Sequence, residues 1–179
     1  MNGEVTNSPL LELFSQIETF VFDVDGVLTD GNLILLNNSL IRKMHTRDGF
    51  ALQLAVKKNY RIIIISGGNS EDVAKRLSNL GIEQVYLGIR NKAQKLIDIS
   101  TEQGFNLNKV LYMGDDIPDY SVMKLVGLPT CPANACNEIK EISTFISKIN
   151  GGEGCVREVI EIVLKLQNNW VIDDEIISG

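Results

Sequence analysis

The sequence predicts an α/β fold: a doubly wound parallel sheet that carries a β-hairpin insertion and has no large cap domain. Three observations point there. Short apolar or β-branched runs such as Arg61–Ile65 and Val110–Met113 alternate with amphipathic helical patterns, and that alternation builds a parallel sheet covered by helices on both faces. The runs are almost unbroken in apolar character, as strands buried on both faces are. Between the first run, Thr19–Val24, and the second, Arg61–Ile65, there is room for a hairpin and one helix but no larger insertion.

The elements follow in order. Met1 to Pro9 is polar and reads as frayed. Thr19–Val24 is a buried strand that ends in Asp23, Asp25 and Gly26. Leu33–Leu36 and Leu40–His45 flank Asn37-Asn38-Ser39, and because Asn tolerates left-handed backbone this reads as a hairpin. Asp48 is positioned to cap a helix whose apolar face is Phe50, Ala51, Leu54 and Ala55. Arg61–Ile65 is a strand closed by Ser66-Gly67-Gly68. Asn69 or Ser70 caps the next helix, which carries Val73, Leu77 and Leu80 and stops at Gly81. Gln84–Leu87 is a strand, and the helix after it holds Ala93, Leu96 and Ile97 and ends near Gly104. Val110–Met113 runs into Gly114-Asp115-Asp116, with Pro118 where a first helical turn tolerates it. Short strands are expected near Thr130 and Phe145. Val156, Val159, Ile160, Val163 and Leu164 mark a long amphipathic helix.

At 179 residues the chain suits a single domain, 1–179, with the hairpin at 33–45 as an insertion and a tail at 168–179. Apolar content of 44% and charged content of 22% are those of a globular protein. A net charge of −6 with no Lys/Arg-rich block excludes a nucleic-acid partner as an expectation. An anionic substrate would need a local cation, which a bound metal commonly supplies. The apolar runs fall short of a membrane span, and no secretory signal pattern opens the chain. Cys131, Cys136 and Cys155 have no CxxC spacing and are odd in number, which reads as reduced thiols, each a small buried apolar residue, in a cytoplasmic protein.

Asp23, Asp25, Ser66, Asp115 and Asp116 all fall at the C-terminal ends of predicted strands. In doubly wound sheets the ligand crevice lies beyond that edge. Asp23 and Asp25 are two apart, so on a regular strand end they share a face. Those two carboxylates, with Asp115 arriving from another strand, would repel unless a divalent cation lay between them, and oxygen ligands favour Mg²⁺ over Zn²⁺. The competing reading makes each acidic residue a helix cap, but the convergence of the whole set on one edge speaks for a site. Phosphate monoesters resist hydrolysis, and a site that cleaves them must stabilise charge on the transferring oxygens. A carboxylate can accept the phosphoryl group as an aspartyl-phosphate. Ser66 and the N–H groups near Gly67 and Gly68 offer donors. Lys92 starts a helix, where a cation opposes the dipole, and this suggests a use beyond stability; a plain surface lysine is the alternative.

Taken together, these residues resemble the haloacid dehalogenase superfamily and its Rossmann-like core. Asp23-Val24-Asp25-Gly26-Val27-Leu28-Thr29 resembles the first motif, Ser66 after Ile62–Ile65 the second, Lys92 the third, and Gly114-Asp115-Asp116 with Asp119 the fourth. The resemblance implies Asp23 as nucleophile and metal ligand. It implies Asp25 as general acid/base, giving the metal its backbone carbonyl. Asp115 would be the third protein ligand, with Asp116 and Asp119 supporting the site, and Ser66 and Lys92 would bind the phosphoryl group.

The likeness narrows further. Asp30-Gly31, the hairpin, His45-Thr46-Arg47-Asp48-Gly49, Asn91-Lys92 and the segment from Gly151 to Glu158 resemble the 3-deoxy-D-manno-octulosonate 8-phosphate phosphatase family from about Thr19 to Leu166. That family is capless and tetrameric, its hairpins associate, and a neighbouring subunit helps close each active site. Its product, Kdo, enters lipopolysaccharide, which implies a Gram-negative cytoplasm. By this likeness a small sugar-acid phosphate is the substrate, contacted by Asp25, His45, Thr46, Arg47, Asp48, Gly49, Gly68, Arg76 and Lys92, with Mg²⁺ as cofactor. Three positions depart from the family pattern: Gly68, Gln53 and Glu153 stand where arginine is common. A nine-carbon 2-keto-3-deoxy-nononate 9-phosphate is the alternative substrate. Gly68 and Asn79 do not match the Glu and Lys of that class. A non-catalytic regulatory or oligomerisation domain of the same fold is the alternative of another kind, against which the intact Asp23, Asp25, Ser66, Lys92 and Asp115 argue.

Overall fold

The computed structural model describes residues 9–36 and 39–171. Six parallel strands form one sheet: β1 (Thr19–Phe22), β4 (Arg61–Ile65), β5 (Gln84–Tyr86), β6 (Val110–Met113), β7 (Leu128–Cys131) and β8 (Phe145–Ile146). Their order across the sheet is β5-β4-β1-β6-β7-β8. A separate antiparallel hairpin joins β2 (Ile34–Leu36) to β3 (Ser39–Ile41). The chain winds outward from β1 through β4 to β5, then returns to the other side of β1 with β6. The strand order therefore reverses at β1, and this places the ligand crevice at the C-terminal ends of β1, β4 and β6. Phe22 stands opposite both Ile64 and Met113, so the three strand ends are level.

The helices are α1 (Pro9–Ser15), α2 (Thr46–Lys57), α3 (Glu71–Ser78), α4 (Lys92–Gln103), α5 (Tyr120–Met123), α6 (Asn137–Ile142) and α7 (Cys155–Leu166). Alternate strand residues point to opposite sheet faces. Phe20, Phe22, Ile62 and Ile64 pack with Phe14 of α1, Leu52 and Leu54 of α2, Val73 and Leu77 of α3, and Val159 and Val163 of α7. On the other face Val21, Ile63, Ile65 and Tyr112 pack with Leu96 and Ile99 of α4, Val122 of α5 and Ile139 of α6. Both faces are thus sealed, which is why the strand sequences are apolar throughout rather than alternating.

Several expectations are corrected by the packing. α1 lies at the edge of the polar opening, where the sequence suggested no element, and it is held by Phe14, which is buried edge-on against Phe145. The rest of that opening and the Asn37-Asn38 turn lie outside the described residues, as does the tail beyond Val171. The second hairpin strand ends at Ile41 rather than His45, because Arg42 turns toward Asp25 and His45 becomes the N-cap of α2, accepting from Arg47 N–H at 3.3 Å. Asp48 is therefore not the cap of its own helix. It is buried, and its Oδ1 accepts from Arg157 N–H at 2.7 Å, in the first turn of α7. It does the chemistry of a cap, but for a helix 109 residues away. In α4 Leu96 is buried as expected, but its apolar partner in the core is Ile99, and Ile97 is exposed. Ser70 is the N-cap of α3, accepting from Val73 N–H, and Gly104 closes α4 in the left-handed region. The cysteines are free; Cys131 and Cys155 are buried and Cys136 is half-buried. Among the described residues no helix is long and apolar enough to cross a membrane.

Candidate active site

β1 delivers Asp23 to the sheet edge, and Asp23 N–H donates to Met113 C=O of β6 at 3.1 Å. The chain then leaves the sheet through a single wide turn, closed by Thr29 N–H to Val24 C=O at 3.0 Å. Gly26 sits inside that turn at φ +85°, and a Cβ there would overlap the Asp115 carboxylate. A side chain at this position is therefore excluded twice, by backbone conformation and by space. Gly152, at φ +66°, lies so close to Thr29 and Asp30 that a Cβ would collide with their backbone. Gly152 N–H donates to Val27 C=O at 2.9 Å, so the glycine-rich segment before α7 braces the turn that carries Asp25.

Asp23, Asp25, Gly31, Ser66, Gly67, Gly68, Lys92, Asp115, Asp116, Pro118 and Asp119 line one crevice of about 310 Å³. Every catalytic and metal residue expected from sequence is in that set. Lys92, the first residue of α4, is no surface lysine. It is 4% exposed, and its Nζ lies 2.9 Å from Asp23 Oδ1 and 2.7 Å from Asp119 Oδ1. Burial alone would lower its pKa, but the Asp119 and Asp23 carboxylates outweigh this and raise it. Ser66 is buried at the end of β4, and its Oγ accepts from Gly68 N–H at 3.1 Å. Asp119 Oδ1 accepts from Lys92 and from the buried Tyr112 hydroxyl at 2.6 Å, and its Oδ2 accepts from Asp115 N–H at 3.3 Å. With its oxygens so committed, Asp119 orients Lys92 and the loop after β6. Asp116 is exposed at the rim.

The carboxylates of Asp23, Asp115 and Asp119 converge, with one oxygen of each within 4.8 Å of the others. Burial, and then the negative charge of Asp119, push the Asp23 carboxyl up to about 6. Burial, and then Asp23 and Asp119, push Asp115 up to about 7. Asp23 Oδ1 is buried and touches Lys92, but it receives no well-directed hydrogen bond. Crowded, buried oxygens short of donors are the surroundings a hard dication relieves. The residues therefore fit Mg²⁺.

The other expected contacts lie elsewhere in the chain. His45, Thr46, Asp48, Gly49 and Arg76 line a second cavity of about 250 Å³ between α2 and α3. Arg47 borders a third, beside Arg157 and Glu153. Neither cavity shares a lining residue with the crevice. Conversely, the sequence reading missed Arg42. Its guanidinium grips Asp25 through Nε to Oδ1 at 2.6 Å and Nη2 to Oδ2 at 3.1 Å. That pairing raises the pKa of Arg42 further. Nothing in the sequence flags it, because the two residues are 17 apart and belong to different elements.

Comparison with known proteins agrees with this geometry. The sequence pattern of the haloacid dehalogenase-like hydrolase family matches residues 88–160. The 3-deoxy-D-manno-octulosonate 8-phosphate phosphatase of Salmonella typhi is 34% identical over 152 residues, 84% of this chain and 81% of that protein. The Haemophilus influenzae protein of the same name is 29% identical over 159 residues, 88% of each chain. Among solved structures, the Moraxella catarrhalis phosphatase, determined with magnesium, phosphate and KDO, superposes with a TM-score of 0.88 at 32% identity, covering 97% of this chain and 98% of that one. The cobalt-bound Haemophilus influenzae enzyme gives a TM-score of 0.83 at 29% identity, covering 87% and 92%. This chain belongs to the 3-deoxy-D-manno-octulosonate 8-phosphate phosphatase family of haloacid dehalogenase-like hydrolases.

Proposed function

We propose that this chain is a Mg²⁺-dependent phosphatase that hydrolyses 3-deoxy-D-manno-octulosonate 8-phosphate to Kdo and inorganic phosphate, a step in making lipopolysaccharide precursors. The observation that carries this reading is the meeting of Asp23, Asp115, Lys92 and Ser66 in one crevice at the point where the strand order reverses. The names of the relatives supply the substrate. One domain spanning 1–179 performs the reaction, in the cytoplasm.

The residues divide the chemistry. A carboxylate oxygen of Asp23 attacks phosphorus, and the bond from phosphorus to the sugar oxygen breaks as that oxygen takes a proton from Asp25. Water then attacks the aspartyl-phosphate and gives its proton to Asp25, releasing phosphate and restoring the Asp23 carboxylate. Lys92 and Ser66 hold the phosphoryl oxygens, and Asp119 keeps the lysine in place. Asp23, Asp115 and the backbone carbonyl of Asp25 would hold Mg²⁺, which supplies positive charge against the transferring oxygens.

A homotetramer completes this reading. Leu33, Ile34, Leu35, Leu36, Leu40 and Ile41 are all exposed among the described residues, Leu35 at 77%, so the hairpin presents apolar side chains on both faces. The substrate contacts proposed for His45 to Gly49 and Arg76 would come from an adjoining copy, since within one protomer these residues stand outside the crevice.

The test is phosphate release from eight- and nine-carbon 2-keto-3-deoxy sugar phosphates, with Mg²⁺ and with excess chelator. The expected result is Mg²⁺-dependent turnover that favours the eight-carbon ester. A preference for the nine-carbon ester would move the substrate to the alternative. Absence of turnover on any sugar phosphate would turn the reading toward a non-catalytic domain.

A further inference from the structure

We infer that Arg42 is the positioning residue for Asp25, and that the lack of a side chain at Gly68 makes room for it. The inference rests on the reading of Asp25 as general acid/base. Arg42 follows β3 immediately, yet its side chain is 8% exposed. It borders one small space with Val24, Ser70, Val73, Leu87 and Asp25 itself. Both Asp25 oxygens are taken by one planar guanidinium, at 2.6 and 3.1 Å. Such a fork fixes the plane and direction of a carboxylate, which a single contact does not. Asp25 needs that help. The turn after β1 leaves its side chain 36% exposed at the crevice edge, and among the described residues Arg42 alone contacts its carboxylate by hydrogen bond or ion pair. An acid/base group works only within hydrogen-bond reach of the proton it moves, and a misplacement of about 1 Å is costly to rate.

Gly68 carries the second half of the argument. A Cβ at this position would lie 2.9 Å from Asp25 Oδ2 and 3.3 Å from Arg42 Nη2. The space that a side chain at position 68 would fill is thus taken by the ion pair. The cation on this wall of the crevice comes from the hairpin, and the loop after β4 stays bare to admit it. The hairpin is consequently joined to the chemistry through one side chain, although none of its residues lines the crevice as described.

Substitution at the two positions tests the assignment, with kcat and KM measured on the eight-carbon sugar phosphate and Mg²⁺ affinity by calorimetry. Arg42→Ala should lower kcat at least about tenfold, with KM changed less than about threefold and Mg²⁺ affinity unchanged; Arg42→Lys, which retains one contact, should fall between Ala and the wild type. Gly68→Ala should lower kcat by displacing the same carboxylate from its other side. Because both act through the position of Asp25, the double variant should be no slower than the slower single one. A wild-type kcat in Arg42→Ala, or losses that multiply in the double variant, would overturn the inference. Asp25→Asn separates this from the functional reading: if that variant keeps wild-type turnover, the role of Asp25 is wrong. If it loses turnover while Arg42→Ala does not, the error is in Arg42 alone.

Discussion

At the scale of single residues, the site is governed by one conflict: more negative charge than the protein alone can neutralise. Lys92 is the one cation within ion-pair distance of Asp23 and Asp119 among the described residues, and Asp115 has none there. Replacing Asp23 by Asn keeps the shape and removes the proposed nucleophile. Turnover should fall at least about a thousandfold with the melting temperature maintained, as phosphate release and a thermal melt would record in protein checked for deamidation. The same conflict predicts a pH dependence of stability. The folded-state pKa values of Asp23, about 6, and Asp115, about 7, stand above the ordinary 3.8. Their contribution is fully present below the ordinary value and is lost as pH rises through the folded values. Metal-free protein should therefore melt lower at pH 8 than at pH 5. Mg²⁺ should raise the melting temperature more at pH 8, where no proton competes for the oxygens. Melts in chelator and in Mg²⁺ across pH 5 to 8 check this, and a Mg²⁺ effect that grows toward pH 5 would count against it.

At the scale of elements, the loops after the strands do the positioning, and other elements brace them. The turn after β1 is held by the backbone of Gly151 and Gly152, which precede α7. α7 is in turn tied to α2 by Asp48, whose Oδ1 accepts from Arg157 N–H while its Oδ2 is buried without a partner. Burial raises the pKa of Asp48, and the Arg157 N–H opposes that rise. Asp48→Ala would strip the α7 N-terminus of its acceptor and should destabilise the protein by about 1–2 kcal/mol. Asp48→Asn keeps an acceptor oxygen without a buried charge and should cost less. Denaturant unfolding of the two variants measures the difference; an Asn variant weaker than the Ala variant would refute the capping role.

At the scale of the molecule, the exposed hairpin is the feature that a single chain leaves unexplained. Isolated two-stranded hairpins are marginal, and their edges invite pairing. Replacing Ile34 and Leu36, 57% and 53% exposed, by Lys should dissociate the proposed tetramer. It should also reduce activity, although neither residue lines the crevice. Light scattering with a parallel phosphate-release assay checks this. A wild-type protein that is a fully active monomer would remove the tetramer from the account.

The sequence alone determined what local chemistry can specify. The strands β1, β4 and β6 were legible because three or four consecutive apolar residues can be buried on both faces, and Asp23, Ser66 and Asp115 stood out because each follows the end of such a run, Asp115 after one glycine. Lys92 was legible as a cation where the helix dipole disfavours one. The tertiary structure alone decided which distant groups meet. Arg42 reaches Asp25 across a hairpin and a turn, Asp48 caps a helix 109 residues on, and His45 to Gly49 and Arg76, expected to contact substrate, gather around two other cavities. Periodicity reports which face of an element is buried. It carries no record of what lies against that face, because the partner is set by strand order and packing across the whole chain.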